Sequence, residues 1–225
     1  MKSLKKVINI VFLGLLIISM QFCFFVVQPD ANTKSKLKSP NFSEIEQEIF
    51  EYQNLARTNP KAVARDIRKL LPYVQNKIFR VPGSIAIRTR EGRSAFIEAV
   101  RYLESVSPVP ALKASRGMSL GARDHVRNEG PRGRTGHTGA DGSTPFKRVN
   151  RYGRWLRTAG ENLAYGVNTA KLVVIGLIVD DGVPSRGHRK NIFNKDFQVT
   201  GISFGRHRGF GYMCTITYAG GYIDR

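Results

Sequence analysis

Two histidines of this chain stand beside glycines, in segments where an imidazole can stay accessible. His137 follows Gly136 and precedes Thr138-Gly139, and His188 follows Gly187. Glycine lets the backbone approach a cleft closely, and loops supply many binding groups. A neutral imidazole is a good ligand for zinc, copper or nickel. The two histidines are therefore the first candidates for metal binding.

Acidic residues that could share such a cation occur at two places. Glu161 lies in Gly160-Glu161-Asn162, and Asp180 and Asp181 follow an apolar run. Two imidazoles with carboxylates make a mixed nitrogen and oxygen site, and a carboxylate can also orient an imidazole by accepting its second ring N–H. The positions are tens of residues apart and match no short metal motif. The alternative hypothesis is a set of surface polar residues at turns, with Asp181-Gly182 one such turn.

The remaining histidines are weaker candidates. His125 shares a helical face with apolar residues, which favours a packed or hydrogen-bonded histidine over a metal ligand. His207 lies between Arg206 and Arg208 in a predicted hairpin, so we expect it to be solvated.

Apolar periodicity and capping signals predict the elements that would position these residues. Ser43 with Glu46 forms a capping-box pattern at the start of one helix, and Asn59-Pro60 ends that helix and begins a second. Further helices are predicted over 95–106, 112–128, 144–152 and 170–179, one more turn over 187–192, and strands over 199–204 and 212–218. Helices first and a hairpin last predict an α+β fold, with helices stacked on a small antiparallel sheet.

The N-terminus predicts export or membrane attachment. Three lysines within the first six residues precede a run of 21 uncharged residues, from Val7 to Val27. The run is longer than a usual leader core, it approaches the length of a spanning helix, and it is followed by no obvious cleavage site. We interpret residues 1–27 as an N-terminal hydrophobic helix, either an uncleaved signal anchor or a cleaved signal peptide, and 28–42 as a flexible tether. The flanking charge predicts that residues 43–225 lie outside the cytoplasm.

The composition narrows the range of partners. The formal net charge of +19 favours anionic partners such as phospholipid headgroups, acidic cell-surface polymers or nucleic acid. No nucleic-acid-binding signature occurs, and an exported domain would not meet a nucleic acid in the cytoplasm, so specific nucleic-acid binding is not expected. Cys214 is the only cysteine after the N-terminal segment, so we expect a buried thiol and no disulfide within the domain.

Six stretches of the chain share their order and spacing with one protein family. They are Asn54–Pro60, Ala122–His125, Gly136–Phe146, Ala159–Gly166, Ser185–Ile192 and Val199–Ile202. Together they resemble the CAP superfamily, also called the SCP domain, in its bacterial-type branch. That superfamily includes cysteine-rich secretory proteins, venom allergens and plant pathogenesis-related proteins. The resemblance covers residues 43–222.

The resemblance implies an α–β–α sandwich with an open cleft, in which two histidines and two acids can bind zinc or another divalent metal. The matching residues of this chain are His137, Glu161, Asp180 and His188. Asp180 is one methylene shorter than the glutamate usual at its position, and Asp181 is the alternative. Asn162, beside Glu161, and Asp181 are candidates for ligand binding.

Two functions remain open at this point. The resemblance favours a non-enzymatic binding module for a lipid, a peptide or a cell-surface polymer, because relatives bind lipids and no single activity unites them. The alternative is a metal-dependent, peptidase-like hydrolase, in which a histidine-bound metal acidifies a water and Glu161 accepts its proton. No Gly-x-Ser-x-Gly motif supports a serine nucleophile.

Overall fold

Helices and strands alternate along residues 42–225, the part of the chain that the computed structural model describes. The helices there are α1 (Glu44–Thr58), α2 (Pro60–Leu70), α3 (Arg93–Ser105), α4 (Arg116–Glu129), α5 (Pro145–Asn150), α6 (Ala170–Val179) and α7 (Gly187–Phe193). The strands there are β1 (Val74–Gln75), β2 (Ile78–Phe79), β3 (Ile87–Arg88), β4 (Lys113–Ala114), β5 (Gly153–Trp155), β6 (Ala159–Tyr165), β7 (Val199–His207), β8 (Gly211–Ala219) and β9 (Tyr222–Asp224). The prediction of a mixed fold, with helices and small sheets, is confirmed.

The first two helices begin at their predicted caps. The Ser43 backbone N–H donates to the Glu46 carboxylate at 2.9 Å, and the reciprocal bond of the capping box is also present. The Asn59 side chain accepts a hydrogen bond from the Ala62 N–H at the start of α2. Pro60 takes the first helical position, where the N–H that proline lacks would have no partner. Local signals therefore suffice to divide α1 from α2.

A four-stranded sheet with the order β4-β7-β8-β6 lies at the centre of the fold. Strands β7 and β8 pair antiparallel from Val199↔Ala219 to His207↔Gly211, and β6 pairs antiparallel with β8. Strand β4 pairs with β7 in parallel, so the sheet predicted as antiparallel is mixed at one edge. Cys214 lies buried in β8 as expected, and burial raises the pKa of its thiol.

Helices pack on both faces of this sheet, and the side chains differ in size between the faces. Toward α4, β7 presents Gly201, where a Cβ would lie 2.2 Å from the carbonyl carbon of Met118. Only glycine lets the helix approach so closely. On the opposite face, Ile202 joins the apolar core that includes Ile49 of α1 and Val174 of α6. The alternation of side chains along β7 therefore builds a thin layer on one face and a thick core on the other.

Helix α6 is buried, as its composition predicts. A helix that is apolar all round belongs in the interior of a protein. Val173, Val174 and Ile178 have no exposed surface, and the Thr169 side chain caps the helix by accepting from the Leu172 N–H. The predicted span of 170–179 is confirmed.

Residues 112–115 depart from the predicted helix over 112–128. Lys113 and Ala114 form β4, and α4 begins only after Ser115. The Ser115 backbone is extended (φ −120°, ψ 134°) and its side chain accepts from the Met118 N–H, so this cap sets the start of the helix. Strands β1, β2, β3, β5, β6 and β9 also lie where the sequence analysis predicts no strand.

The predicted N-terminal hydrophobic helix, residues 1–27, and residues 28–41 of the predicted tether lie outside the described residues. Within 42–225, no helix is long and apolar enough to cross a bilayer. Phe42, the first described residue, packs against Phe50 of α1 with ring centroids 5.7 Å apart.

Candidate functional site

His137 pairs with Glu161 through one ring nitrogen. Its Nδ1 lies 2.9 Å from Oε1 of Glu161, and the imidazole is 51% exposed while the carboxylate is 2% exposed. A hydrogen bond from Nδ1–H to a carboxylate fixes the tautomer in which Nε2 carries the lone pair. Within residues 42–225, Nε2 of His137 makes no hydrogen bond. The pair therefore presents an oriented, electron-donating nitrogen from an exposed loop.

Arg148 provides the positive charge that balances the buried Glu161. Its Nη2 donates to Oε2 of Glu161 at 2.7 Å, and the Arg148 side chain is 1% exposed. Its Nη1 donates to the carbonyl oxygens of His137 and Ser143. Because an unpaired buried carboxylate is strongly destabilising, this ion pair makes the burial of Glu161 possible. The sequence analysis missed Arg148, since one more basic residue gives no signal in a chain this basic.

His188 pairs with Asp180 by contacts that are local in the chain. Asp180 ends α6 in the left-handed conformation (φ 53°), and His188 is the second residue of α7. Oδ1 of Asp180 accepts from Nδ1 of His188 at 2.6 Å, and Oδ2 accepts from the His188 backbone N–H at 2.9 Å. Arg186 donates to the Asp180 carbonyl oxygen at 2.8 Å and so stabilises the connection. Nε2 of His188 makes no hydrogen bond among the described residues.

Asn162 lies in the interior between the two pairs. Its side chain has no exposed surface, donates to the His188 carbonyl oxygen at 2.9 Å and accepts from Asn191 at 2.8 Å. Because it follows Glu161 on β6, it points to the opposite face of the strand. Asn162 therefore positions α7 against β6.

Asp181 stabilises the chain that leads into α3. Its carboxylate accepts hydrogen bonds from the backbone N–H groups of Arg90, Glu91 and Gly92 at 2.6, 2.8 and 3.2 Å. Backbone donors that converge before a helix favour an anion, and charge-assisted bonds of this type are strong. Both oxygens of Asp181 are thus engaged in the fold.

The four predicted metal ligands form two pairs and not one cluster. No group of three or more His, Cys, Asp or Glu side chains within residues 42–225 is placed so that it could hold a metal ion. All four carboxylate oxygens of Glu161 and Asp180 already accept hydrogen bonds. The carboxylates therefore orient the two rings, and the Nε2 atoms of His137 and His188 are left without a hydrogen bond among the described residues.

His125 supports the loop that precedes His137. It has no exposed surface, and its Nε2 lies 3.0 Å from the Gly136 carbonyl oxygen. Burial, followed by the charge of Arg148, lowers the pKa of His125 below its usual range, which favours the neutral ring. A neutral imidazole that donates to Gly136 agrees with the interpretation of His125 as a hydrogen-bonded histidine of the interior.

His207 is buried, so the expectation that it is solvated is wrong. The residue is 2% exposed, and its Nδ1 accepts hydrogen bonds from the N–H groups of Gly209 and Phe210. Its Nε2 lies 3.0 Å from the Arg134 carbonyl oxygen. The imidazole therefore closes the β7–β8 turn and fastens it to the neighbouring loop, a role that its basic sequence neighbours conceal.

The comparison with protein families decides the classification. The model of the cysteine-rich secretory protein family (CAP) matches residues 86–219, which is more than half of the chain. The chain belongs to this family. The matched range contains both histidine–acid pairs, and the resemblance recognised from the motifs is confirmed.

Solved structures similar to this CAP protein come from bacteria. An outer surface protein from Borrelia burgdorferi is 20% identical, with 49% of this chain and 78% of that chain covered and a TM-score of 0.42. An extracellular protein containing an SCP domain, from Bacillus anthracis str. Ames, is 20% identical, with 56% and 37% covered and a TM-score of 0.40. A cysteine-rich secretory protein from Staphylococcus aureus subsp. aureus Mu50 is 13% identical, with 57% and 38% covered and a TM-score of 0.36. The matches thus span less than two fifths of the last two proteins. No curated protein matches the chain.

An apolar cavity of about 300 Å³ lies beside His188 in the CAP domain. Its apolar walls come from β6, α6, α3 and the hairpin β2–β3, and they include Phe79, Phe96, Leu163, Val167, Leu172 and Ile175. Its polar groups gather at the C-terminal end of α6, where Asp180, His188 and Thr89 lie. The cavity thus combines a long apolar wall with one polar end, a combination typical of small-molecule sites.

The His137 loop reaches the same wall. Tyr165 lines the cavity, and its hydroxyl accepts a hydrogen bond from the Gly136 N–H at 3.2 Å. Glu161, Leu163 and Tyr165 alternate along one face of β6, so the first histidine–acid pair and the cavity wall share that face. The sequence analysis missed the cavity because it predicts no strand at β6.

Two further cavities continue from the first one under the hairpin. A cavity of about 60 Å³ shares Phe79, Ile87, Val167 and Leu172 with it, and a third of about 370 Å³ shares Gly83, Ser84, Asn168 and Leu172 with the second. Leu172 lines all three. The three cavities therefore lie one after another along α6, between His188 and Lys171, and are separated by side chains that they share.

Proposed function

We propose that this CAP protein works outside the cytoplasm as a binding module, and that its cavity takes one amphipathic, lipid-like molecule. The location is supported by membership of a secretory protein family and by the uncharged N-terminal run with its preceding lysines. The single observation that carries the binding role is the apolar cavity with His188 and Asp180 at one end.

The shape of the cavity favours an apolar chain with a polar head. Each methylene moved from water to such walls contributes about 0.8 kcal/mol. The volume of about 300 Å³ is at the low end for ligand sites, and the adjoining cavities extend the apolar path. We therefore propose that the chain lies along Leu172 and Ile175 and that the head lies near His188.

An unpartnered hydroxyl supports this orientation. Oγ1 of Thr89 is buried and has no hydrogen-bond partner among residues 42–225, and Thr89 lines the polar end of the cavity. A buried polar atom without a partner costs about 1–3 kcal/mol. A polar head next to His188 would provide the missing hydrogen bond once the Thr89 side chain turns its hydroxyl, which has almost no accessible surface, toward the cavity.

Gly176 offers a direct test of the cavity. It lies on α6 in the cavity lining, and a Cβ there would meet no atom within 4 Å. Gly176→Phe should fill the cavity without a clash, while Gly176→Ala should leave it open and favour the helix by about 1 kcal/mol. We expect a fluorescent fatty acid to bind the wild-type chain and the alanine variant alike, and to bind the phenylalanine variant at least about tenfold more weakly. Equal binding to a folded Gly176→Phe variant would refute the proposed site.

A second candidate function is metal binding through His137 and His188. The observation that favours it is the Nε2 of each ring, unbonded among the described residues, beside an Nδ1 that faces a buried carboxylate. We expect one zinc ion per domain by titration calorimetry, and much weaker uptake in His137→Ala/His188→Ala. Glu161→Gln should weaken zinc binding about 10–100-fold, the usual effect of losing an orienting partner. Equal uptake by wild type and the double variant would end this proposal.

The alternative of a metal-dependent hydrolase has less support from the geometry. It needs Glu161 as a proton acceptor, but Oε1 of Glu161 faces His137 and Oε2 faces Arg148 in a buried ion pair. Accepting a proton would break the charge balance that permits its burial. Peptide cleavage that is lost on His188→Ala would favour the hydrolase over the binding module.

A further inference from the structure

The turn between β7 and β8 exposes an aromatic ring among arginines. Phe210 is 50% exposed at this turn, and Arg206 and Arg208 on the same turn are exposed too. The turn is preorganised, because His207 lies buried beneath it and accepts the N–H groups of Gly209 and Phe210. A single exposed aromatic ring is common on protein surfaces, so the arginines around it, and not the ring alone, make this turn a candidate contact surface.

The loop after α4 adds positive charge to the same place. The Arg208 N–H donates to the Gly130 carbonyl oxygen at 2.8 Å, and His207 binds the Arg134 carbonyl oxygen. These contacts place Arg132 and Arg134 beside the turn, and both side chains are exposed. Arg134 lies 3.5 Å from the buried carboxylate of Glu129, so Arg132 supplies the charge of the loop that is unpaired among the described residues. The loop and the turn therefore form one basic edge with Phe210 at its tip.

A groove with three arginines borders this edge. Arg123, Arg127 and Arg206 line a groove of about 520 Å³, and none of them forms an ion pair within residues 42–225. Among the described residues that line the groove, the only acid is Glu46, which is 5% exposed and accepts the N–H groups of Ser43 and Phe204. The excess of positive charge makes the groove complementary to phosphate groups, which arginine binds in a bidentate manner.

We propose that the basic edge docks, together with the groove that borders it, on a bilayer that contains acidic phospholipids. The docking residues are Arg123, Arg127, Arg132, Arg134, Arg206, Arg208 and Phe210. The arginines contact lipid phosphates, and Phe210 enters the interfacial region, where aromatic rings are favoured. Phe210 is the feature that favours a bilayer over a soluble anionic polymer, because a polymer would leave this ring in water. Ser43, which follows the first described residue, also lines this groove.

Docking at this edge would bring the cavity close to the lipid. Phe210 packs on Tyr165 with ring centroids 5.5 Å apart, and Tyr165 lines the cavity. A docked domain would therefore present the cavity next to the membrane surface. The docking itself rests on the edge alone, and it does not require that the cavity binds a lipid-like molecule.

A tryptophan at position 210 provides a local test in the full chain. The protein has one native tryptophan, Trp155, so the wild-type chain supplies the background signal. The Phe210→Trp chain is mixed with vesicles whose acyl chains carry bromine, made of phosphatidylcholine alone or of phosphatidylcholine with phosphatidylglycerol. We expect bromine to quench the added tryptophan in the acidic vesicles and not in the neutral ones. The N-terminal run and its three lysines are the same in every variant, so any binding that they contribute cancels in the comparison of charge-removal variants below.

Charge removal tests the arginines. Each arginine near an anionic surface contributes about a fivefold change in the docking equilibrium, so Arg127→Gln/Arg206→Gln/Arg208→Gln should lower it on the order of a hundredfold. The matched control, Lys61→Gln/Arg65→Gln/Arg101→Gln, removes three exposed charges from α2 and α3 and should dock as before. All six side chains are exposed, so both variants should fold.

Three outcomes would overturn the proposal. The first is equal quenching in neutral and acidic vesicles, and the second is no quenching in acidic vesicles. The third is a loss of docking in the control variant as large as that in the triple arginine variant. If a soluble glycerol phosphate polymer binds the chain through the same arginines while the added tryptophan stays unquenched, the edge is a polymer site and membrane docking is wrong. Fatty acid binding in the cavity is measured separately, so failure of docking and failure of the proposed function remain distinguishable.

Discussion

The two histidine–acid pairs have the same chemistry but are built in opposite ways. His188 and Asp180 are eight residues apart, and the carboxylate accepts both the ring N–H and the backbone N–H of the histidine. His137 and Glu161 are 24 residues apart, and they meet only because a loop folds back onto β6. The His188–Asp180 pair depends on the ends of two helices, and the His137–Glu161 pair depends on a buried arginine.

Because of this difference, breaking the two pairs should destabilise the fold to different extents. Both carboxylate oxygens of Asp180 accept hydrogen bonds from one residue, His188, through its ring and its backbone N–H. Glu161 is balanced by Arg148, which itself has 1% exposure. Breaking a buried ion pair leaves an uncompensated charge, whereas weakening a locally bonded carboxylate removes only its hydrogen bonds. The His137 side should therefore be the more vulnerable half of the site.

The largest effect is expected from Arg148→Met. Without the guanidinium, Glu161 stays buried with no countercharge, so the free energy of unfolding should fall by about 3–5 kcal/mol in urea denaturation. Arg148→Met/Glu161→Gln should recover part of this loss, because no buried charge remains. Hydrogen exchange should increase first in the loop that contains His137 and Ser143, which loses two bonds to Arg148.

Arg151 is the matched control for this prediction. It also pairs with two carboxylates, those of Asp124 and Asp141, but its side chain is 43% exposed. Exposed ion pairs contribute about 1 kcal/mol or less, so Arg151→Met should have a small effect. Equal losses for the two arginine variants would show that burial of the ion pair does not set the difference.

The sequence predicts the helices and the two long strands, but not the shorter strands or the contacts of the His137–Glu161 pair. The capping box of Ser43, the apolar run of α6 and the two long strands carry their own signals, so these elements were predictable. Strand β6 carries none, because its pairing with β8 and its burial come from the rest of the fold. The burial of His207 likewise results from backbone donors of its own turn, while its sequence neighbours are charged.

The residues of the site were recognised by family motifs, but their arrangement was not. Nothing in the spacing of His137 and Glu161 shows that the carboxylate takes the Nδ1 side of the ring, since that depends on Arg148 drawing the other oxygen inward. In the sequence, Asp181 resembles a candidate ligand. In the structure, its carboxylate already accepts hydrogen bonds from three backbone N–H groups of another segment. Both facts depend on contacts between distant segments.

An intermediate effect is expected at the second pair. Asp180→Asn keeps a side chain that tolerates the left-handed conformation, so it should lose only the charge-assisted bonds to His188, about 1.5–3 kcal/mol of unfolding free energy. Asp180→Ala should lose about 1–2 kcal/mol more, because alanine is strained there. NMR of the ring nitrogens should show a changed tautomer at His188 and an unchanged one at His137. A change at both rings would mean that the pairs are coupled and that the comparison between them fails.

The smallest effect is expected from the half-buried ion pair between Glu91 and Arg186, beside the second histidine. The hydrogen bond from Arg186, followed by that from the Gly182 N–H, lowers the pKa of Glu91 from 4.5 to about 2. The folded state therefore releases the proton more readily than the unfolded state, so Glu91 contributes stability above pH 4.5 and loses it as the pH falls toward 2. Glu91→Gln should lower the unfolding free energy at neutral pH by about 1 kcal/mol or less and reduce the acid sensitivity between those two values. Thermal unfolding of the two chains across this pH range measures the effect. If their difference in stability stays constant from neutral pH down to pH 2, the acid-labile contact on the His188 side lies elsewhere than at Glu91.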